Sequence, residues 1–488
     1  MSTPVILQFN QASEFAAAAV SSAVRVGKDL WIGTDEGTAI VRMAPDGENR
    51  FTAADVVDLV QLLDLPAQET DKDGLLPEID IEGMDWEKER GYLWLVGSHS
   101  LKRKNPKLGD PSKDPFKQLG KVSADGNRFI LGRVPLKTET DETSALAGNS
   151  DKHFAARLDG DRFGSELLTE LGKDNLFQRF IPKAGEQSEV GNIPGKDNGL
   201  DLEGLAVAGE NRLFVGLRGP ILRGWACVLE LQIEENATEP GEPGRLHLKI
   251  FGDGNRRYRR ILLKLDGLGV RDLCFDGDDL LILAGPSLDL DWPAALYRWK
   301  SARDKMTTDT ILELDGKTLS RVPVAVRPPG ELGMDRAEGL SLWSEGSGFP
   351  RVLIAFDKPS SLRQAGKHAT VCEAVQMFSP PNSAPANLLE PLWRVLIESS
   401  APLDFHPDCA EALTNIISSG VHQMEVDART NPQNLEDAKD NLRRLLLEMK
   451  RTASELQVAC LTHGILEKTM NRLMPEGLWP FIPSLVAR

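Results

Sequence analysis

The stretch LEGLAVAGENRLFVGLRGP, residues 202–220, contains two apolar runs separated by the short polar segment Gly209, Glu210 and Asn211. Apolar runs of this length, bounded by Gly, Asn and Asp, are typical of β-strands. A tight polar turn between two such runs predicts an antiparallel hairpin in which the second strand is the more apolar one. This hairpin is the unit on which the fold prediction depends.

Four other segments repeat the same pattern of strand, turn and very apolar strand, and each is followed by at least one further strand. They are FAAAAVSSAVRVGKDLWIGTDEG (15–37), IEGMDWEKERGYLWLVGSHS (81–100), VRDLCFDGDDLLILAGPS (270–287) and AEGLSLWSEGSGFPRVLIAFDKP (337–359). Repeats of about 45–65 residues with four antiparallel strands are typical of β-propellers. We therefore predict a mainly β chain whose main part is a β-propeller of five or six blades.

Two details of this architecture stay open at this stage. A β-sandwich is the structural alternative, and a sixth blade could lie within residues 140–200, although ELLTELGKDNLFQRF there reads more like a helix in an insertion. The early strand PVILQF, residues 4–9, could pair with the last blade and close the ring.

The rest of the 488-residue chain divides by period and composition. The 43 glycines and 30 prolines fit repeated blades with frequent turns. From about Leu403 apolar residues recur every three or four positions, which predicts helices. We expect a propeller at 1–385 with a helical insertion near 160–182, a Pro-rich linker at 386–402 and a small α-helical domain at 403–488.

Composition excludes several functional classes. No stretch approaches the roughly 20 apolar residues of a membrane span, and the N-terminus lacks the pattern of a secretory signal. A formal net charge of −16 argues against general nucleic-acid binding. The five cysteines form no CxxC pair, so we expect reduced, buried thiols in a cytoplasmic protein.

The starts of the first strands predict a site. Equivalent positions carry Glu82, Glu203, Arg271 and Glu338, with Ala16 in the first repeat. The first strand of a blade lines the central channel, so these residues should converge on one channel mouth. Glycine follows each glutamate and would permit close backbone approach near the axis. Aligned acids need a cation, a proton or an arginine, and Arg271 is the candidate within the register.

The ends of the second strands should reach the same mouth, because the second strand runs antiparallel to the first. Asp35, Arg218 and Lys358 are the charged ligand-binding candidates there. His99 is the one histidine that we place at the mouth, and it is a weak candidate for a general base. A basic loop, residues 98–121, lies on the same face and could recruit an anionic ligand or act as a lid. The structural alternative for these acid–Gly pairs is that they cap turns and join blades.

Several long motifs resemble a bacterial propeller family of uncharacterised proteins, domain of unknown function 3616. They are DIEGMDW (80–86), GYLWLVGSHSLKRK (91–104), DLEGLAV (201–207), LFVGLRGPILRGWA (213–226) and RDLCFDGDDLLILAGPSLDLDWPAALYRW (271–299), and the resemblance covers about residues 10–380. That family is loosely similar to the propeller phytases and the esterase-like phytase group. This relation implies calcium bound by acids at the mouth, here Asp80, Glu82, Asp201, Glu203 and Glu338. Ala16 and Arg271 depart from such a pattern.

Two functional hypotheses follow, and whether the protein is an enzyme stays open. In the first, the acid-lined mouth binds a small ligand or a metal, with metal-assisted phosphoester or ester hydrolysis as its catalytic form. In the second, the protein is a non-catalytic scaffold that binds partner proteins through the propeller face and the helical tail. We expect a small anionic ligand or a partner protein, with self-association through the C-terminal helices, and neither nucleic acid nor membrane.

Overall fold

A computed structural model describes residues 2–377, except 73, 107–113, 140–141, 148, 151–152, 182–192, 236–243, 252–254, 291–293, 305–307, 323, 325–332 and 344–350. The linker and the helical domain predicted at 386–402 and 403–488, with their role in self-association, lie outside the described residues. Within the described part, no helix is long and apolar enough to cross a membrane.

The described chain forms five blades, each starting from an inner strand and extending outward. Outer strands join blades 1 and 5 into an eight-stranded sheet and blades 2 and 3 into an eleven-stranded sheet. Blade 1 contains β2 (Val20–Val26), β3 (Asp29–Thr34), β4 (Ala39–Pro45) and β5 (Arg50–Asp58). Blade 2 contains β6 (Ile81–Glu87), β7 (Tyr92–Gly97), β10 (Leu131–Thr138), β11 (Ser144–Leu146) and β12 (Ala156–Leu158). Blade 3 contains β15 (Asp201–Gly209), β16 (Arg212–Leu222), β17 (Trp225–Glu235), β18 (Gly244–Leu248) and β19 (Tyr258–Leu263).

Blades 4 and 5 complete the ring. Blade 4 contains β20 (Gly269–Asp276), β21 (Asp279–Gly285), β22 (Ala295–Trp299) and β24 (Leu319–Val322). Blade 5 contains β25 (Arg336–Trp343), β26 (Arg351–Asp357), β27 (Ala369–Gln376) and, as its outer strand, β1 (Ser2–Gln8). The remaining strands are β8 (Lys102–Arg103), β9 (Val122–Ser123), β13 (Gly160–Asp161), β14 (Gly164–Ser165) and β23 (Thr310–Leu312).

Helices are short in this part of the chain. The α-helices are α1 (Pro115–Leu119) and α2 (Glu166–Leu171), and 3-10 helices cover Gln11–Ala18, Gly126–Phe129 and Ser361–Arg363. Ser165 caps the start of α2 because its side chain accepts a hydrogen bond from the Leu168 N–H. Helix α2 lies within the segment near 160–182 where the sequence predicts a helical insertion.

The inner strands establish that the ring has five blades. Strand β2 contacts β6, β6 contacts β15, β15 contacts β20, β20 contacts β25, and β25 contacts β2 again. A closed cycle of inner strands is a β-propeller and excludes the β-sandwich. The cycle is complete without a sixth blade from residues 140–200. Closure by the early strand is confirmed, since β1 pairs antiparallel with β27 and, on its other edge, parallel with β5.

The hydrophobic core lies between neighbouring blades. Five clusters of buried side chains fill the five inter-blade interfaces, for example Trp31 between blades 1 and 2 and Trp94 between blades 2 and 3. The second strands are apolar on both faces because each faces a neighbouring blade on either side. Truncation of such a tryptophan to alanine costs about 3–5 kcal/mol, so these interfaces carry much of the stability.

Glycines after the bulged residues let the inner strands approach one another, as the sequence predicts. A Cβ atom on Gly83 would lie 2.8 Å from the Gly204 carbonyl carbon, and one on Gly204 would lie 2.7 Å from the Asp272 Cα. One on Gly339 would lie 3.3 Å from the Ser22 Cα of blade 1. Distances below about 3 Å leave no room for a side chain, so at Gly83 and Gly204 the inner strands of neighbouring blades meet through backbone alone.

Candidate functional site

The site begins with a β-bulge in each of the five inner strands. Between two paired positions, one extra residue interrupts the register with the second strand. The bulged residues are Ser21, Glu82, Glu203 (with Gly204), Arg271 and Glu338. A bulge leaves its extra residue outside the ladder and redirects its side chain. Each of the four charged residues that the sequence aligns therefore lies at a bulge of its own strand. The sequence pattern does not predict these bulges.

The first blade requires a correction. Ala16 is not the equivalent of the glutamates, because it lies buried in the 3-10 helix Gln11–Ala18 before β2. Ser21 occupies the bulge instead, and its Oγ donates a hydrogen bond to the Ile81 carbonyl of blade 2. Spacing could have located it, since Ser21 precedes the turn glycine Gly27 by six residues, just as Arg271 precedes Gly277.

We use the name channel mouth for the bulged residues together with the charged groups beside them. It comprises Ser21, Asp35, Asp80, Glu82, Arg128, Lys196, Asp201, Glu203, Arg218, Arg271, Glu338, Asp357 and Lys358. Seven of these side chains are acidic and five are basic. All seven predicted ligand-binding residues belong to this set, and the contacts below show how they are connected.

A chain of buried ion pairs links three blades across the mouth. Arg271 Nε lies 3.0 Å from Glu203 Oε2, and its Nη2 pairs with Glu338 Oε1. Arg218 Nη1 lies 3.1 Å from Glu203 Oε1 and 3.5 Å from Asp201 Oδ2. The predicted pairing of the acids with Arg271 is thus present. Burial, followed by the charge of Glu203, raises the pKa of Asp201 to about 7 even though Arg218 opposes the shift.

Asp80 belongs to a second group of ion pairs, centred on Arg128. Arg128 Nη1 lies 2.7 Å from Asp80 Oδ2, and its Nη2 lies 2.5 Å from Glu78 Oε1. Burial lowers the pKa of Arg128, but the carboxylates of Asp80 and Glu78 outweigh it and raise the pKa overall. Sequence reasoning missed Arg128 because it lies in a short 3-10 helix of the long β7–β10 connection, outside any repeat.

Glu82 differs from its neighbours in the ring. It is half-buried, and it forms no hydrogen bond or ion pair with any residue that the structure describes. Burial and then the charges of Glu203, Asp80 and Asp201 raise the pKa of Glu82 well above its usual range. The charged form of this carboxyl is therefore disfavoured unless a positive charge arrives beside it.

Asp35 and Asp357 lie at the seam between blades 1 and 5. The Asp35 N–H donates to the Ala19 carbonyl, and the N–H of Lys358 donates to the Ala18 carbonyl, so both acids flank the same dipeptide. Lys358 Nζ lies 3.4 Å from Asp357 Oδ2. Burial and then the Asp357 charge raise the pKa of Asp35 to about 8. Neither Asp35 Oδ1 nor Asp357 Oδ1, both buried, receives a hydrogen bond from the described residues.

The segment before blade 3 brings Lys196 to the mouth. The Gly195 N–H donates to the Leu101 carbonyl, and a Cβ on Gly195 would lie 2.4 Å from Asp201 Oδ2. Burial and then the charges of Lys358, Arg218 and Arg336 lower the pKa of Lys196, while Glu82 raises it. The lysine was not among the predicted residues, because it lies in a loop that precedes its blade.

Part of the predicted basic loop packs beside the mouth. Lys102 Nζ lies 2.8 Å from Glu78 Oε1, and Arg103 Nη2 lies 2.6 Å from Asp197 Oδ2. These cations are therefore engaged with carboxylates at the rim. Residues 107–113 of the loop, including Lys107 and Lys113, lie outside the described residues, so the role as a lid stays a prediction.

His99 faces away from the mouth acids. Its Nδ1 lies 2.9 Å from the Gly97 carbonyl, its Nε2 lies 3.1 Å from Ser165 Oγ at the start of α2, and its ring meets Phe129 edge-on. The side chain is fully buried, and burial lowers its pKa to about 4. These contacts fit a structural role, and a catalytic role for His99 stays a prediction.

Calcium binding by the mouth acids also stays a prediction. Within the described ranges, no group of three or more Asp, Glu, His or Cys side chains is arranged to hold a metal ion. Of the five predicted ligands, Asp80, Asp201, Glu203 and Glu338 point their carboxylates at arginines, as described above. An ion would have to compete with those pairs.

The three cysteines that the structure describes form no disulfide. Cys227 and Cys372 are buried free thiols in blades 3 and 5, and Cys274 is a partly buried free thiol in blade 4. Burial raises the pKa of the Cys372 thiol to about 12. A thiol with so high a pKa is a packing group rather than a nucleophile.

Solved structures with a distant likeness include glycosidases. The GH43 protein BlXynB from Bacillus licheniformis aligns at 11% identity with a TM-score of 0.32, over 77% of this chain and 55% of its own, so this chain spans about half of that protein. An exo-1,5-α-L-arabinanase from a bovine ruminal metagenomic library aligns at 10% identity with a TM-score of 0.31, over 75% of this chain and 94% of its own.

The sequence comparison is more specific. No curated protein matches the sequence. The propeller motifs quoted above fall within residues 19–373, which match the model of the family described as "Protein of unknown function (DUF3616)", and the chain belongs to that family.

Proposed function

We propose that the channel mouth binds a small polar ligand, with Glu82 as the recognition side chain. The observation that carries the proposal is the contrast within the ring of bulges. Glu203, Arg271 and Glu338 are paired with one another, whereas Glu82 has no partner among the described residues. A carboxyl whose pKa is strongly shifted by burial and by neighbouring charges is typical of functional positions.

The cost of this arrangement supports a role in binding. A desolvated carboxyl beside other acids lowers stability unless a proton, a cation or a donor compensates it. The fold needs no carboxyl at this bulge, because Ser21 occupies the same position in blade 1. Glu82 therefore gains its partner when a ligand enters the mouth.

The contacts bear on the charge of the ligand. The expectation of an anion depends on free cations, and Arg128, Arg218 and Arg271 are all engaged with carboxylates. Among the described residues, the groups of the mouth without an ion pair include the acids Glu82 and Asp35 and one cation, Lys196, so the acids are in excess. A ligand with a cationic group or several hydrogen-bond donors suits these groups better than a bare anion does.

A calorimetric titration tests the proposal with three probes: Ca²⁺, glycerol and inorganic phosphate, which represent a cation, a polyol and an anion. We expect at least one of them to bind the wild-type chain and to lose most of its affinity in Glu82→Gln. Glu89→Gln is the matched control, because Glu89 is exposed on the turn at the other end of β6. Binding that survives Glu82→Gln, or heat neither from these probes nor from the ammonium probe introduced below, would overturn the proposal.

Hydrolysis is the catalytic form of the same proposal and has its own assay. A protonated Glu82 could act as a general acid toward a phosphoester or ester, with a bound metal supplying the Lewis acid. Turnover of p-nitrophenyl phosphate or p-nitrophenyl acetate that disappears in Glu82→Gln but not in Glu89→Gln would support it. Binding without turnover would leave a ligand-binding propeller.

Exposed apolar side chains favour a second candidate function, binding of a partner protein. Phe116 on α1 is 85% exposed, Leu290 after β21 is 56% exposed and Leu362 after β26 is 61% exposed. All three lie in connections that follow second strands, which end at the mouth face. A photo-crosslinker at Leu290 should give a discrete adduct with a partner protein, whereas one at Ile250, exposed elsewhere, should not. Equal labelling from both positions would contradict this candidate.

A further inference from the structure

The mouth contains two buried oxygens that no described donor satisfies. They are Oδ1 of Asp35 and Oδ1 of Asp357, to which the carboxyl of Glu82 adds a third acceptor group. Asp357 is 3% exposed, so water has little access to it. Leaving a buried acceptor unsatisfied costs about 1–3 kcal/mol.

These acceptors are neighbours in the fold. Asp35 and Asp357 flank the Ala18–Ala19 dipeptide at the blade 1–blade 5 seam. Glu82 lies at the bulge of the next blade, whose inner strand contacts that of blade 1. The charge of Asp35 acts on Glu82, and the charge of Asp357 acts on Asp35, so the three carboxyls form one acidic arc.

We infer that the ligand bound in the mouth carries a primary ammonium group, held by Glu82, Asp35 and Asp357. The inference rests on the proposed ligand site at Glu82 and names the chemical class of its ligand. An R–NH₃⁺ group presents three N–H donors that diverge from one nitrogen. Three carboxyls with unsatisfied oxygens are the complementary arrangement, and each contact would be a charge-assisted hydrogen bond.

Other ligand classes fit the described contacts less well. Ca²⁺ needs about six to eight oxygens at about 2.3–2.6 Å, and no group of three or more ligating side chains is placed to hold a metal ion among the described residues. An ammonium group needs only three acceptors, at the longer distance of about 2.7–2.9 Å. A quaternary ammonium brings charge but no N–H donor. A neutral polyol brings donors but no charge to offset the excess of seven acids over five cations that defines the mouth.

The positive groups that face the arc limit the side from which a cationic ligand can approach, but they do not exclude its binding. Lys358 is already engaged with Asp357 Oδ2. Lys196 is held beside Lys358, Arg218 and Arg336, as its lowered pKa shows. The charge of Glu82 also acts on Lys196, Arg218 and Arg271, but among the described residues none of the three is ion-paired with it. The ammonium group therefore enters from the Glu82 side.

Ethanolamine and choline form a matched pair of probes, because they share a charge and a hydroxyl but differ in their N–H donors. We expect ethanolamine to bind the full chain at least tenfold more tightly than choline and ethylene glycol in calorimetric titrations. Glu82→Gln should weaken ethanolamine at least tenfold, while Glu89→Gln leaves it unchanged. Its affinity should rise from pH 6 to pH 8, by up to tenfold per unit for each proton displaced.

The outcomes separate the two proposals. Equal binding of ethanolamine and choline, or of ethanolamine and ethylene glycol, would overturn the primary ammonium. Glu82-dependent binding of Ca²⁺ or glycerol without binding of ethanolamine would also overturn it but would leave the ligand site intact. If no probe depends on Glu82, both proposals fail.

Discussion

Replacing Asp35 with asparagine should stabilise the protein, and by an amount that grows with pH. In the folded chain, burial and the charge of Asp357 raise the pKa of the Asp35 carboxyl to about 8, compared with an ordinary value of about 3.9. The folded state therefore binds more protons than the unfolded state between these values, and the free energy of unfolding of the wild type falls as pH rises through this window. Asparagine does not titrate, so this fall in the free energy of unfolding with rising pH is absent from the variant.

The magnitude follows from one proton of difference between the two states. Such a difference changes the free energy of unfolding by about 1.4 kcal/mol per pH unit, so the advantage of Asp35→Asn should grow by at most about 3 kcal/mol from pH 5 to pH 7. The half-buried position of Asp35 and the sharing of charge with Asp357 reduce this upper limit. A gain of about 1–2 kcal/mol is therefore the expected result.

Urea unfolding at pH 5 and pH 7, followed by fluorescence of the buried tryptophans in the blades, measures this difference. Asp46→Asn is the matched control, because Asp46 is exposed in the β4–β5 turn at the opposite face. Its effect should be the same at both pH values. If the difference in free energy of unfolding between Asp35→Asn and the wild type is also the same at both pH values, the pKa of Asp35 is not raised and the carboxyl is not buried beside Asp357.

Three further predictions concern the architecture. Arg271→Gln should lower the free energy of unfolding by about 3–5 kcal/mol in urea titrations, because it leaves the buried carboxylates Glu203 and Glu338 without their shared partner; a loss below 1 kcal/mol would mean that the bridge is not a buried charge network. Gly204→Ala should cost about 1–3 kcal/mol more than Gly267→Ala, because both glycines have φ near +85° but only Gly204 meets backbone within 3 Å; equal losses would show that the blade 3–blade 4 contact can open. Deletion of residues 2–8 should lower the melting temperature and cause aggregation visible by light scattering, since it exposes the edge of β27; a monomeric variant with an unchanged melting temperature would contradict closure by β1.

The repeat pattern was sufficient to predict the propeller, its ring closure and the convergence of Glu203, Arg271 and Glu338. These features follow from local periodicity, because a strand–turn–strand unit fixes which ends of its strands lie together. The bulges were not predictable in the same way. A bulge adds one residue without any signal of its own, and in the first repeat it moved the equivalent position from Ala16 to Ser21.

Residues supplied by connections between blades were missed for a different reason. Arg128 and Lys196 reach the mouth from long segments that have no counterpart in the other repeats. Their positions depend on tertiary contacts, such as the hydrogen bond from Gly195 to Leu101, that no spacing encodes. His99 lies at the predicted strand end, but its ring turns toward Ser165, an orientation that spacing alone does not indicate.

The closing strand has a consequence for synthesis of the protein. Gln8 in β1 bonds to His368, and the two residues lie 360 positions apart along the chain. One edge of β1 can be covered early by β5, but its antiparallel partner β27 leaves the ribosome only after four blades have been made. Contacts at such long sequence separation form slowly, and an uncovered edge is open to pairing with other chains until then. Between the synthesis of β1 and that of β27, the nascent protein therefore depends on protection from aggregation.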